Sequence, residues 1–122
     1  MATGLRSAIS VGYGGLASGT NSTVSGGLAN DATNFHSTVS GGAYNFATGV
    51  AGTVSGGKGN TASGTSSSVS GGGFNSSSGA YSSVSGGYLN TAGGYLSTVS
   101  GGNSRSVVGH SDWRGGGLFQ NY

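Results

Sequence analysis

His110, Ser111 and Asp112 are consecutive near the C-terminal end of this 122-residue chain, and they supply the three side-chain types of a hydrolytic triad. Triad members work through mutual geometry, which folds build from separated stretches of chain, so three neighbours rarely have it. His36 stands alone and reads as a solvated or hydrogen-bonded histidine. The two carboxylates, Asp31 and Asp112, are too far apart in sequence to suggest an acid/base pair. Gly56-Gly57-Lys58-Gly59 joins glycines to a lysine, yet lacks the spacing and following helix of a phosphate loop. Calcium-binding solenoids need an aspartate in every repeat, and no such column exists. The chemistry-bearing residues therefore predict no catalysis, no metal and no cofactor.

The elements that hold these residues are set by a repeat. Val-Ser-Gly-Gly begins at Val24, Val39, Val54, Val69, Val84 and Val99, a strict period of fifteen. Such regularity marks a repeat architecture in which each unit buries its apolar side only by stacking on a neighbour. The chain has 29 glycines and no proline, without the every-third-residue glycine of collagen. A flexible Gly/Ser linker would not keep valine, asparagine and alanine in separate columns, so the repeat reads as ordered. Charged residues are only 5% of the chain and the formal net charge is +2, too sparse for a nucleic-acid-binding patch. No apolar run approaches the length of a membrane-spanning helix. Cysteine is absent, so disulfides cannot stabilise the fold.

Ser-Thr-Val-Ser alternates polar and apolar residues, as a strand with one buried side does. The predicted core columns are Ile9, Val24, Val39, Val54, Val69, Val84 and Val99, and, in a second short segment, Ala17, Ala32, Ala47, Ala62 and Ala92. Gly-Gly ends the first segment and allows a tight corner. Asn30, Asn45, Asn60, Asn75 and Asn90 form a column that predicts a stacked side-chain amide ladder. A closing glycine column contains Asn34 in one coil, which predicts a left-handed backbone there. The expected fold is all-β: a parallel β-solenoid, or β-roll, of about seven fifteen-residue coils. The expected organisation is an N-terminal lead at 1–7, the solenoid at 8–109 and a C-terminal cap or assembly segment at 110–122.

One valine and one alanine per coil make a thin core. Association of copies would add burial, and Phe35, Tyr44, Phe74, Tyr81, Tyr88 and Tyr95 cluster at the corners as candidate surface or interface aromatics. Solenoid ends expose unpaired backbone. Trp113, Arg114, Leu118, Phe119 and Tyr122 are the candidates to cap that edge or to join chains end to end.

The pattern Ser-Thr-Val-Ser-Gly-Gly-x-x-Asn-x-Ala-x-Gly resembles the head repeats of trimeric autotransporter adhesins, the YadA-like head, and related phage and bacterial tail-fibre repeats. It covers about residues 8 to 109. The resemblance implies a left-handed roll, usually a homotrimer, located outside the cell, on its surface or on a virion. It also implies adhesion to a host surface, matrix or polysaccharide, or extension of a fibre. Two other functions are open from the residues. Outward Thr/Ser ranks from Thr23/Ser25 to Thr98/Ser100 would suit ice binding, and the corner aromatics would suit stacking on carbohydrate.

Overall fold

Thr-Val pairs are β-branched and favour extended backbone, and each repeat spends its Thr-Val (or Ser-Val) on a strand only two residues long. The computed structural model describes residues 1–115, which are all-β. Strands from Ala8–Ile9 through Thr23–Val24 to Trp113–Arg114 each pair in parallel with the strand fifteen residues on, forming an eight-stranded sheet. The alternate strands, from Leu16–Ala17 through Asp31–Ala32 to Ser106–Val107, form a seven-stranded sheet in the same way. A third ladder of single bridges links Tyr13, Leu28, Ala43, Lys58, Gly73, Tyr88 and Asn103. The chain is a β-solenoid of about seven coils.

The six valines from Val24 to Val99 and the alanines Ala17, Ala32, Ala47, Ala62 and Ala92 form one fully buried apolar cluster between the sheets. Ile9, on the edge strand of the first sheet, is only partly buried against it. Ser77 replaces alanine in one coil, and its hydroxyl is satisfied by Ser82 Oγ at 2.7 Å. Ser22, Ser37, Ser67, Ser82 and Ser97 also point inward, a column absent from the predicted core. They precede the valines by two residues and so share their side of the strand. Ser37, Ser82 and Ser97 donate to the carbonyl three residues back at 2.6–2.7 Å. Ser22 Oγ and Ser67 Oγ have no partner among the described residues.

The asparagine column is fully buried, but it is not the side-chain amide ladder expected from the repeat. Asn60 Nδ2 donates to Gly56 O and to Gly72 O, both at 2.9 Å, while Asn60 Oδ1 accepts the backbone N–H of Asn75 at 2.9 Å. Asn30, Asn45, Asn75 and Asn90 repeat this set. The amide is bonded to backbone because the corner leaves a carbonyl (Gly56 O) and an N–H (Asn75 N) without a backbone partner, and buried backbone groups need partners; the second carbonyl, Gly72 O, is shared with Lys58 N. Each asparagine thus ties its own corner to the coil above.

The corner geometry explains one glycine of each pair. At Gly57 φ is 84°, and a Cβ there would meet Asn60 Nδ2 at 2.6 Å and the Gly72 carbonyl closer still. At Gly56, by contrast, a Cβ would meet nothing within 4 Å. Where Gly15 and Arg105 occupy the asparagine slot, the matching corner glycines Gly12 and Gly102 shift to φ values of 148° and 105°.

One further expectation is corrected. Asn34 does not take the left-handed conformation, and neither do the closing glycines; it falls two residues later, at His36 with φ 56°. The closing glycines answer a steric demand instead, since a Cβ on Gly49 would run into the Gly64 backbone. Backbone pairing is also present on either side of 8–109: Ala2 bridges Ala17, and Trp113–Arg114 pairs with Thr98–Val99. Pairing uses backbone groups, so it continues where consensus side chains have faded.

Gly56→Ala should leave stability within about 0.5 kcal/mol, since open surface sites are tolerant, whereas Gly57→Ala should prevent cooperative folding. Asn60→Ala should cost roughly 2–5 kcal/mol by orphaning the Gly56 carbonyl and the Asn75 N–H. Urea unfolding of the three variants checks all of this; equal loss at Gly56 and Gly57 would refute the corner geometry.

Candidate functional site

Strand N–H groups donate to the coil that follows, as in Thr23 N to Ser37 O at 3.0 Å. At two corners the direction reverses. His36 N donates back to Thr20 O at 3.0 Å and Tyr44 N back to Leu28 O at 2.9 Å. The reversal coincides with left-handed backbone at two columns. One runs through Ala29, Tyr44, Phe74, Leu89 and Ser104, the other through Arg6, Asn21, His36, Ala51, Ser66, Tyr81, Leu96 and Ser111. Left-handed φ costs a non-glycine residue roughly 1–2 kcal/mol, and Gly14 and Gly59 are the positions of the first column where glycine is used among the described residues. Large side chains therefore stand where glycine would be easier.

They stand in solvent as well. Tyr81 is 53% exposed and Leu89 48%, and Phe35, Tyr44, Phe74, Tyr88, Tyr95 and Leu96 are comparably open. The corner residues predicted from the repeat are thus brought into two rows along the solenoid, one on each side. In one row Phe74 and Tyr88 meet edge to face with centroids 5.8 Å apart. In the other, Tyr81 meets Tyr95 at 5.8 Å and Tyr95 meets the His110 ring at 4.9 Å. The rings lean toward the preceding coil: a Cβ on Gly59 would strike Phe74 at 2.6 Å, and one on Gly73 would reach Tyr88 at 3.1 Å. Glycine at these two variable positions makes room for a ring. Phe46 is a further exposed aromatic, on the outer side of the second sheet, which corner-based reading missed. Its signal was position: it directly precedes the inward alanine column.

The outer side of the first sheet is different. Thr23, Thr38, Thr53, Ser68, Ser83 and Thr98 are half-buried there, flanked by exposed serines from Ser25 to Ser100. Ser83 Oγ donates to Thr98 Oγ1 at 3.3 Å. These columns carry no charge from Thr23 to Ser100.

The hydrolytic-triad residue types do not converge as a triad does. His110 Nδ1 and Ser111 Oγ share a hydrogen bond at 2.8 Å, while the Asp112 carboxylate lies against Gly109 and His110 stacks on Tyr95. His36 packs edge to face on Phe35 with centroids 4.1 Å apart. Among the described residues there is no cavity, and no cluster of three or more His, Asp or Glu side chains. No helix is long and apolar enough to cross a membrane.

At the C-terminal end, Trp113 Nε1 donates to Ser100 Oγ at 2.7 Å and Arg114 donates to Ser106 O at 3.0 Å. Both are exposed and extend the first sheet by one strand. The other cap candidates, Leu118, Phe119 and Tyr122, lie outside the described residues.

No family model matches the chain. No curated protein matches it in sequence either.

Tyr81→Gly removes a large side chain but also left-handed strain. The unfolding free energy should change by less than about 1 kcal/mol under conditions where the protein is monomeric. A loss of several kcal/mol in denaturant titration would mean that the ring serves folding and not the surface.

Proposed function

We propose that this chain is a non-enzymatic structural or adhesive module, part of an extracellular fibre, surface adhesin or phage appendage, that works by association along its length. The observation that carries the reading is the pair of corner rows. Tyr44, Phe74, Leu89, Tyr81 and Leu96 accept unfavourable backbone geometry and solvent exposure together. The backbone geometry is met by the N–H bond back to the preceding coil, as in Tyr44 N to Leu28 O, so the exposed apolar area is the cost left open, and a partner surface would cover it. An elongated frame with a thin core gains from side-by-side contacts, because they run along a whole corner row. The resemblance of the repeat to adhesin heads and tail-fibre repeats supports the same reading, with a homotrimer as one form and an end-to-end filament as another. Isolated titratable side chains fit a surface role: Asp31 and Lys58 each stand alone on the body of the solenoid.

A second reading rests on a different observation. The Thr/Ser ranks of the first sheet make a flat hydroxyl array without charge, repeated at about 4.8 Å along the axis. Such an array suits ordered water, and the reading is ice binding.

Light scattering coupled to size exclusion separates these. A native mass above the 11.6 kDa of one chain, rising with concentration, is the expected result. A strict monomer that shapes ice and shows thermal hysteresis would replace association with ice binding.

A further inference from the structure

We propose that Arg114 is a stop, which closes the last strand of the first sheet against the edge of a second copy of this chain. Copies then join along their length and not end to end, a choice between two forms that rests on the association reading above.

Strand pairing alone sets no limit to a solenoid. Each coil offers its backbone to the next, and an unpaired edge is a template for another chain. Among the described residues Trp113–Arg114 is the outermost strand of the first sheet and Ser106–Val107 of the second. Trp113 pairs with Thr98, whose N–H donates to the following coil at Asp112 O. The Trp113 N–H has no backbone partner among the described residues. The edge is open in its hydrogen bonds.

Side chains close it instead. The register sets Arg114 on Val99, so the column of buried valines ends in a cation. Parallel, in-register pairing keeps Arg114 on the core side of the strand. Its guanidinium reaches from the first sheet to the second, where Nη1 donates to Ser106 O at 3.0 Å. Ser106 falls in the same fifteen-residue column as Met1, and Met1 O receives the N–H of Ala17 from the following coil at 2.9 Å. Arg114 thus supplies from a side chain what a further coil would supply from its backbone. On the outer side Trp113 Nε1 turns back to Ser100 Oγ at 2.7 Å.

A second copy adding its edge in this register would cover Arg114 and hold the guanidinium between the sheets. The buried polar residues of that interior are serines and asparagines, with no carboxylate to pair it. Arginine does not shed its proton, and burying an unpaired charge is costly. Inward-pointing charges protect strand edges for this reason. The strand at the other end of the same sheet, Ala8–Ile9, carries Ile9 in the valine column, only partly buried. Arg114→Val would therefore leave apolar residues of one column at both ends of the sheet.

The test is electron microscopy and light scattering on the full chain and on Arg114→Val, Arg114→Met and Arg114→Lys, with circular dichroism confirming that each variant keeps the parent fold. The parent and Arg114→Lys should form no fibres. Arg114→Val and Arg114→Met should form unbranched fibres one solenoid wide, with an end-to-end association constant about a hundredfold above the parent's, as expected when a charge left unpaired on burial is removed. Fibres of the parent or of Arg114→Lys overturn the stop. So do Val and Met variants that keep the parent's mass or aggregate without fibres. A parent that is monomeric at every concentration overturns association along the length, while fibres of Arg114→Val alongside it leave the stop standing.

Discussion

Backbone hydrogen bonding holds successive coils about 4.8 Å apart, and everything inside the solenoid must fit that spacing. Identical columns stack at this distance, so the interior admits only side chains that tolerate a copy of themselves directly above and below. Valine, alanine, serine and asparagine do. The valine and alanine columns fill the space between the sheets. The asparagines solve the harder problem, which is the corner. There the chain leaves carbonyls facing inward, and each side-chain amide reaches one of its own coil and one of the next. The second glycine of each pair is required by its positive φ and by the next coil's carbonyl, which a Cβ would meet even before the amide. Gly12 and Gly102 stay glycine, with shifted φ, in the coils without asparagine.

The second consequence of the spacing is directional. Strand N–H groups point to the following coil, and the chain must turn without leaving donors buried and unpaired. The left-handed residues do this by aiming their N–H at the preceding coil. From Asn21 to Ser111 every such residue has its backbone strain met by a hydrogen bond, whatever its side chain. The frame thus sets no preference there beyond glycine's ease, and the side chain at each corner is free to serve the surface. Phe74, Tyr81, Leu89 and Leu96 are the outcome.

This separation explains what could be read from the residues in order. The period, the strand at each Thr-Val and the inward valine and alanine are local and binary, and alternation reveals them. The inward serine column was hidden because Ser22 and its equivalents share a residue type with the outward Ser25 column, and only the position relative to valine distinguishes them. Asn34 misled because its type favours left-handed backbone, whereas the hydrogen-bond reversal, a contact sixteen residues long, decides where that conformation falls. The corner aromatics were visible as exceptions to the repeat. Their two sets were visible too, one after Gly-Gly and one after the closing glycine; the edge-to-face contacts within each set were not, since they depend on how far each coil turns.

A strictly periodic surface has a particular weakness as an interface. If every coil presented the same residues, a partner could bind at any multiple of the coil spacing, with nearly equal energy, and no single register would win. Specificity must come from what breaks the period. On this chain those elements are few: the rings at irregular heights, the glycines that admit them, and one charge of each sign on the body of the solenoid. Backbone ladders of equal geometry run through every coil, so they fix the shape and say nothing about register. A register that brings a charge against apolar neighbours incurs its desolvation, so such breaks disfavour wrong alignments more than they favour a right one.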